Sequence, residues 1–425
     1  MTHKSRRDGL PVAIIGAGPI GLAAAANLLE RGIPFTVLEA GTLTSAAVRA
    51  WGHIRLFSPW RELIDPAAQR LLVRSGWTPP RDLESAPTGH ELVEHYLVPL
   101  ADALAANIVT GARVSAVARE GMDRTRSARR ESTPFVVRLS DGRELSARAV
   151  IDASGTHGSP NSLGSSGLDP NGLMDVAAHV SLALPDVLGA DRHRFSGTHT
   201  TVVGAGHSAA NTLIALATLI QTSQQTRATW VIRNPRAVRV FTSDDDELAG
   251  RASLGAKVQK LIDSGVIEVR ESFEITDLAA AGERARVIGR QRGELASFET
   301  DTIVNATGFR PDLAMLREIR VDLDPVVEAP RALAPLIDPN VHSCGTVEPH
   351  GFVELRHPEP DFFIAGMKSY GRAPTFLLAT GYEQVRSIAA YLAGDLAAAS
   401  NVELVLPATG VCSTSTTDAA SGCFS

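Results

Sequence analysis

Residues 12–40, VAIIGAGPIGLAAAANLLERGIPFTVLEA, constrain the fold more than any other part of the chain. Val12–Ile15 is a short apolar run of the kind that forms a buried parallel strand. The turn Gly16-Ala17-Gly18-Pro19-Ile20-Gly21 follows at once, and then a small-residue helix over residues 22–30. Gly32-Ile33-Pro34 breaks that helix, and Phe35–Leu38 reads as a second strand ending on Glu39. Strand, glycine turn, helix, strand and acid in this order form a dinucleotide-binding unit in its required context. Gly16 permits the tight turn, Gly18 lets backbone approach a pyrophosphate, and Gly21 lets the helix pack close on the strand. The free N–H groups at the helix start face the phosphate, where the helix dipole also favours negative charge. Glu39 stands where a carboxylate accepts hydrogen bonds from a ribose with free hydroxyls.

The same grammar recurs. Residues 200–203 form a strand leading into Gly204-Ala205-Gly206-His207-Ser208-Ala209, a helix over 210–222, and a strand over 229–232. Ala209 replaces the third glycine, a permitted variation. Arg233, with Arg236 three residues on, is expected in the place that Glu39 holds in the first unit. A guanidinium there suits a 2′-phosphate, which a carboxylate would repel. The first site is therefore expected to take a nucleotide with a free 2′-hydroxyl, and the second NADPH.

Between the two units the chain changes character several times. Trp51, His53, Arg55 and Trp60 fall within ten residues. That loop either packs on a flat ring system or forms a peripheral hydrophobic cluster. Thr88-Gly89-His90-Glu91 caps a helix expected to run to about Leu104. Alternating short strands follow over residues 108–151, with residues 120–133 as an exposed hairpin loop whose arginines make a solvated face. Asp152-Ala153-Ser154-Gly155-Thr156 ends that meander with small residues that admit a ligand. Residues 157–197, rich in Gly, Ser, Pro and Asn, read as a crossing between domains. The second domain closes at Asn305-Ala306-Thr307-Gly308-Phe309-Arg310-Pro311. A strand then ends on Gly366, and Thr380 is expected to open a helix through about Ala393.

Composition narrows the class. The chain has 425 residues, 44% hydrophobic and 21% charged, with a formal net charge of −6. That balance gives no reason to expect nucleic acid or an anionic membrane as partner. Cys344, Cys412 and Cys423 are the three cysteines, too few for a disulfide framework, so a reducing compartment and a cytoplasmic location are expected. Lys4, Arg6 and Arg7 before an apolar run imitate a signal peptide, but the glycines and proline of that run fit the nucleotide unit better. His342, His350 and His357 lack tight metal-ligand spacing, and no metal site is expected.

Taken together, GAGPIG with Glu39, DASGT at 152–156, GAGHSA with Arg233, and NATGFRP at 305–311 resemble the two-dinucleotide-binding-domain flavoproteins. That group includes thioredoxin reductases and class B flavin monooxygenases. The stretches around Cys344, residues 366–374 and residues 380–386 are similar to flavin-dependent monooxygenases of bacterial arsenic-resistance clusters. The resemblance covers roughly residues 10–395. It implies an α/β fold with two Rossmann-like domains, the NADPH domain (198–305) inserted into a split FAD domain (1–156 and 306–395), followed by a tail at 396–425.

On this resemblance, FAD is bound through Gly16, Gly18, Pro19, Gly21, Glu39, Val114, Gly155, Gly308, Gly366, Met367 and Gln384. NADPH is bound through Gly204, Gly206, His207, Ser208, Ala209, Arg233 and Arg236. The resemblance also implies a monooxygenase that forms a flavin C4a-peroxide from O₂ and oxygenates a soft nucleophile: a trivalent arsenical or an S or N centre. A flavin reductase or oxidase without oxygenation, and a redox-sensing flavoprotein, stay open beside it. Trp51, His53, Arg55, Trp60, Lys368, Tyr370 and Arg372 are the flavin-proximal candidates.

Departures are informative. No C-x-x-C pair exists, so a dithiol relay of the thioredoxin reductase kind is excluded. Phe195-Ser196-Gly197-Thr198-His199 has its histidine two residues earlier than the monooxygenase signature. Met367 stands where many relatives have an aspartate for the flavin's ribityl chain, leaving backbone or Ser369 for that task. Cys412 and Cys423 could pass a metalloid to the flavin, with Cys344 as a third thiol, or all three could be incidental.

Overall fold

The computed structural model describes residues 7–237, 240, 249–338, 349–373 and 376–404. The chain divides into two compact units, one built from residues up to Gly158 and again from Arg310 onward, the other from Ser159–Phe309.

In the first unit β1 (Val12–Ile15) leads through the glycine turn into α1 (Pro19–Glu30) and back to β2 (Phe35–Leu38). A largely helical excursion, including α2 (Pro66–Arg74), precedes the two-residue strand β3 (Ile108–Val109). β4 (Val114–Arg119), β5 (Phe135–Leu139) and β6 (Glu144–Ala147) form an antiparallel meander, and β7 (Ala149–Asp152) returns beside β1.

The second unit repeats the plan. It runs from β8 (Val180–Leu182) to β9 (His199–Val203), α3 (His207–Thr222) and β10 (Arg227–Val231). After α4 (Ala249–Asp263) come β11 (Ile267–Arg270), the meander β12 (Phe273–Ala281), β13 (Arg284–Gln291) and β14 (Glu294–Thr300), and β15 (Thr302–Asn305). The chain then completes the first unit with β16 (Phe362–Ile364) and α5 (Leu378–Leu392).

Among the described residues each unit thus holds one five-stranded sheet and one three-stranded meander. The large sheets have the orders β16-β7-β1-β2-β3 and β11-β10-β9-β15-β8. Every neighbour in them is parallel. All four residues of β1, of β7 and of β15 are buried, as expected of strands covered on both faces. α1 is buried over nine consecutive residues, Ile20–Leu28, and its run of alanines lets it lie against α2 and α5. One polar residue sits in that buried stretch. Asn27 donates to the carbonyl of Ala23 and to Asp65, which also caps α2 through Ala68 N at 2.8 Å.

Several expectations change at this level. Residues 159–197 belong to the second unit rather than to a crossing, because β8 adds an edge strand beside β15. Its three residues carry no periodicity a sequence could show. The capping box at Thr88 and Glu91 is present, but the helix it starts passes through a π-helical stretch, Val93–Leu97, before ending at Ala103. α5 begins at Leu378, so Thr380 lies inside its first turn.

The arginines of residues 120–133 are not all solvated. Arg130 is buried, and together with Arg119 it grips Glu359, whose carboxylate is completely covered. Arg119 Nε reaches Glu359 at 2.7 Å and its guanidinium stacks 3.6 Å from the Phe135 ring centre. Burial lowers the Arg119 pKa against the pull of Glu359.

Candidate functional site

The first unit's site is shaped by backbone. Gly16 has φ +99°, and a Cβ there would come 2.7 Å from the carbonyl oxygen of Ala153, so the turn lies directly on the end of β7. At Gly21 a Cβ would stand 1.9 Å from the oxygen of Gly16, which makes glycine obligatory where α1 leaves the turn. Gly18 and Gly155, by contrast, face nothing within 4 Å. α1 starts at Gly18 with no side-chain cap and no acidic residue in its first turn. Uncapped N–H groups opening on free space are what a phosphate requires.

Glu39 is nearly buried, at 9% exposure. One oxygen accepts Ala17 N at 2.8 Å and the other Gly41 N at 2.7 Å. A carboxylate offers about four lone-pair sites, so the held group retains acceptor capacity for a diol. These residues fit a dinucleotide with an unphosphorylated ribose. Val114 opens β4 two residues after Ala112, whose N–H bonds the Glu39 carbonyl at 2.7 Å.

The C-terminal part of the same unit supplies residues of another kind. Lys368 is almost completely buried and its Nζ lies 2.6 Å from Asp152 Oδ2 and 3.1 Å from Ser154 Oγ. Through Ser154 it reaches the segment on which the Gly16 turn lies. Gln384 is spoken for: its Oε1 accepts Gly366 N at 2.8 Å, and its Nε2 reaches His350 at 2.9 Å and Ser369 Oγ at 3.0 Å. Ser369 donates to the Gly366 carbonyl at 2.7 Å. Gln384 and Ser369 therefore shape the Gly366–Tyr370 turn instead of offering free groups, whereas Met367 stays partly exposed.

The aromatic loop is packed in part. Trp60 is 5% exposed within the core and its ring is 6.5 Å from that of His95. Trp51 lies on Gly89, where a Cβ would meet its ring at 2.9 Å. Arg55 is largely exposed and pairs with Glu91 at 3.8 Å. His53 Nε2 is buried without a hydrogen-bond partner. Tyr370 is buried beside His350 and Phe376, and Arg372 pairs with Glu328 at 2.8 Å.

The second unit's site repeats the backbone logic. Gly204 has φ +131°, a Cβ there would come 2.1 Å from Ala306 O, and its carbonyl is fixed by Trp230 Nε1 at 2.7 Å. Gly206 faces open space and α3 begins there with no side-chain cap, followed by His207, Ser208 and Ala209. Strand register refines the arginine expectation. Leu38 pairs with Ile15, and Val231 with Val203, so the counterpart of Glu39 is Ile232. Arg233 stands one residue further on, exposed, with one nitrogen 3.1 Å from Ser165 O; Arg236 is also exposed. Gly308 belongs to this second unit, with its carbonyl accepting Asn161 N at 2.9 Å, and not to the first as expected. Cys344, Cys412, Cys423 and His342 lie outside the described residues.

Two sheets of one plan, each with an uncapped glycine turn at its central strand, coincide with a family signature over residues 13–343, that of the pyridine nucleotide-disulphide oxidoreductases. The chain belongs to this family. No curated protein matches the sequence. Solved structures of this family's fold are similar along almost the whole chain. The bacillithiol disulfide reductase of Bacillus cereus is 19% identical with a TM-score of 0.66, covering 91% of this chain and 99% of its own. A flavin-containing monooxygenase from Stenotrophomonas maltophilia is 22% identical with a TM-score of 0.58, covering 90% and 99%. A cadaverine monooxygenase of desferrioxamine biosynthesis from Erwinia amylovora, solved bound to FAD, is 15% identical with a TM-score of 0.62, covering 96% and 99%. The family fold is that of flavoenzymes that also use a pyridine nucleotide. No helix among the described residues is long and apolar enough to cross a membrane.

Proposed function

We propose that the chain is an NADPH-dependent FAD monooxygenase acting on a small soft nucleophile, a trivalent arsenical or an S or N centre. The first unit holds FAD through the Gly16–Gly21 turn and Glu39. The second holds NADPH through the Gly204–Ala209 turn and Arg233. NADPH supplies two electrons, one oxygen atom of O₂ goes to the substrate, and the other leaves as water. The bound flavin supplies hydride acceptance and oxygen activation. The chain's own residues bind and orient the nucleotides and exclude water.

One observation carries the reading: each unit has an open glycine turn at its central strand, yet the sequence has no C-x-x-C pair. Electrons arriving at the flavin have no such internal dithiol to take them onward, so a diffusible acceptor must take them, and the proposal names O₂. The likeness to flavin monooxygenases supports the same reading. The test is NADPH oxidation by the FAD-loaded protein under isotopically labelled O₂, with methylarsenite, a thioether and a primary amine as candidate substrates. Label in the product supports the proposal. Hydrogen peroxide as the sole oxygen product, or electron transfer to a disulfide or quinone under nitrogen, would replace it with the oxidase or reductase reading. Failure of NADPH to bleach the flavin would favour a redox sensor.

A further inference from the structure

Asp152 ends β7 with its carboxylate fully buried, level with Ile15 of β1 and Ile364 of β16. Oδ1 accepts Ser154 N at 3.1 Å and Ser154 Oγ at 2.6 Å, and Oδ2 accepts Lys368 Nζ at 2.6 Å. Nζ also donates to Ser154 Oγ at 3.1 Å, which closes a three-member ring. This ring stands directly behind the first glycine turn. A Cβ on Gly16 would come 3.0 Å from Ser154 Cα, and one on Gly366, where the Lys368 turn begins, would come 2.9 Å from Ile20 in the first turn of α1.

The placement raises an electrostatic problem. A pyrophosphate on the α1 N-terminus would sit close to a carboxylate shielded from water, where repulsion is strong. Buried ion pairs are also weak stabilisers, since well-packed apolar residues do as well or better. We propose that Lys368 is the countercharge that lets the first unit accept a pyrophosphate beside Asp152. Lys368 is a positioning residue for the nucleotide, and this role rests on the FAD reading above. Its ammonium cancels the field of Asp152 and fixes the Ser154 hydroxyl, so that the Ser154–Gly155 backbone faces the ligand in one arrangement. The competing account is a plain staple between residues 152–155 and 366–370, which any break in the pair would weaken.

Charge accounting separates the two. FAD affinity of the unliganded protein is measured by quenching of FAD fluorescence for the wild type, Lys368→Met, Asp152→Asn and the double variant, each checked by far-ultraviolet circular dichroism. Lys368→Met should bind FAD about tenfold more weakly or worse, because it leaves an uncompensated carboxylate. Asp152→Asn should bind as tightly as wild type or more so, and the double variant should return to within about threefold of wild type. A staple predicts instead that Asp152→Asn and the double variant lose affinity along with Lys368→Met. Where a single variant does not fold, the double variant decides, since it leaves no unpaired buried charge and weakened binding there overturns the proposal. Wild-type protein that binds no FAD would overturn the FAD reading itself; wild-type binding with unchanged affinity in Lys368→Met would overturn only the role of Lys368.

Discussion

The two units are built to one plan, and their differences show what each must hold. Both centre a parallel sheet on the strand that precedes the glycine turn, and both interpose an antiparallel meander before the strand on its other side. The first unit ties its meander with charges removed from water, Arg119, Arg130 and Glu359. The second ties its own with Arg284, Glu299 and Asp301, all about one-third exposed. Removing one partner of a buried pair leaves an unpaired charge in a medium that cannot solvate it, whereas water replaces the partner of an exposed one. Glu359→Gln should therefore destabilise the first unit by about 3–5 kcal/mol. Glu299→Gln should cost the second unit no more than about 1 kcal/mol. Urea unfolding of the two variants measures this, and equal shifts would break the comparison.

Protonation gives a second comparison. In the first, burial holds the His357 imidazole down to about 4 from an ordinary 6.5, and pushes the Asp65 carboxyl up to about 6 from 3.8. The signs oppose. The unfolded histidine binds a proton that the folded one refuses, so the His357 contribution is complete above pH 6.5 and is lost as pH falls towards 4. The folded aspartate keeps a proton that the unfolded one releases, so its contribution is complete below pH 3.8 and is lost as pH rises through 6. Each amounts to roughly 3 kcal/mol, and in the native chain they largely cancel between pH 4 and 6.5. His357→Gln should make the protein more stable towards acid relative to wild type, and Asp65→Asn less stable, since asparagine keeps the cap on α2. Urea midpoints measured across this range check both slopes. In the second unit, burial lowers the pKa of His199, but Glu299 O and Thr229 Oγ1 lie within 3.0 Å of its ring nitrogens. His199→Gln should tilt the acid limb in the same direction as His357→Gln.

The helix-entry position answers differently again. At Gly21 a Cβ would stand 1.9 Å from a backbone oxygen, whereas the second unit has Ala209 at the corresponding place, fully buried. Gly21→Ala should cost about 1–3 kcal/mol through overpacking and shed FAD, read from the flavin absorbance of the purified protein. Ala209→Gly should cost about 1 kcal/mol at most and leave FAD content unchanged.

These contrasts also show where the sequence is readable. Each glycine turn is local: strand, turn and helix lie within about twenty residues, and the spacing that defines them is the spacing that folds. Glu39 is legible for the same reason. Lys368 and Asp152 are 216 residues apart, and Arg130 and Glu359 are 229 apart. Nothing in the sequence near residues 120–133 distinguishes the one arginine that turns inward from its solvated neighbours. Strand β8 is invisible alone because three residues acquire their role only by pairing with β15. In sequence, Trp51 and Trp60 are equally compatible with a ring-stacking surface and a packed cluster; the structure buries Trp60 beside His95 and leaves Trp51 partly buried on Gly89.

The nucleotide contrast itself gives the smallest effect and the sharpest test. Register makes Ile232 the second unit's counterpart of Glu39, so that position carries no carboxylate, and Arg233 follows it on the surface. An exposed guanidinium is screened by water, so its interaction with a 2′-phosphate is worth on the order of 1 kcal/mol. That corresponds to a change of about five- to tenfold in KM. Arg233→Ala should raise the KM for NADPH by that factor and leave the KM for NADH nearly unchanged, with kcat the same for both. Arg233→Met, which keeps an aliphatic stem but removes both the charge and the hydrogen bond to Ser165 O, should behave alike, whereas Arg233→Lys, which keeps the charge, should retain most of the preference for NADPH. If both cofactors weaken equally, Arg233 supports the turn that follows β10, and discrimination between the nucleotides lies elsewhere in the second unit.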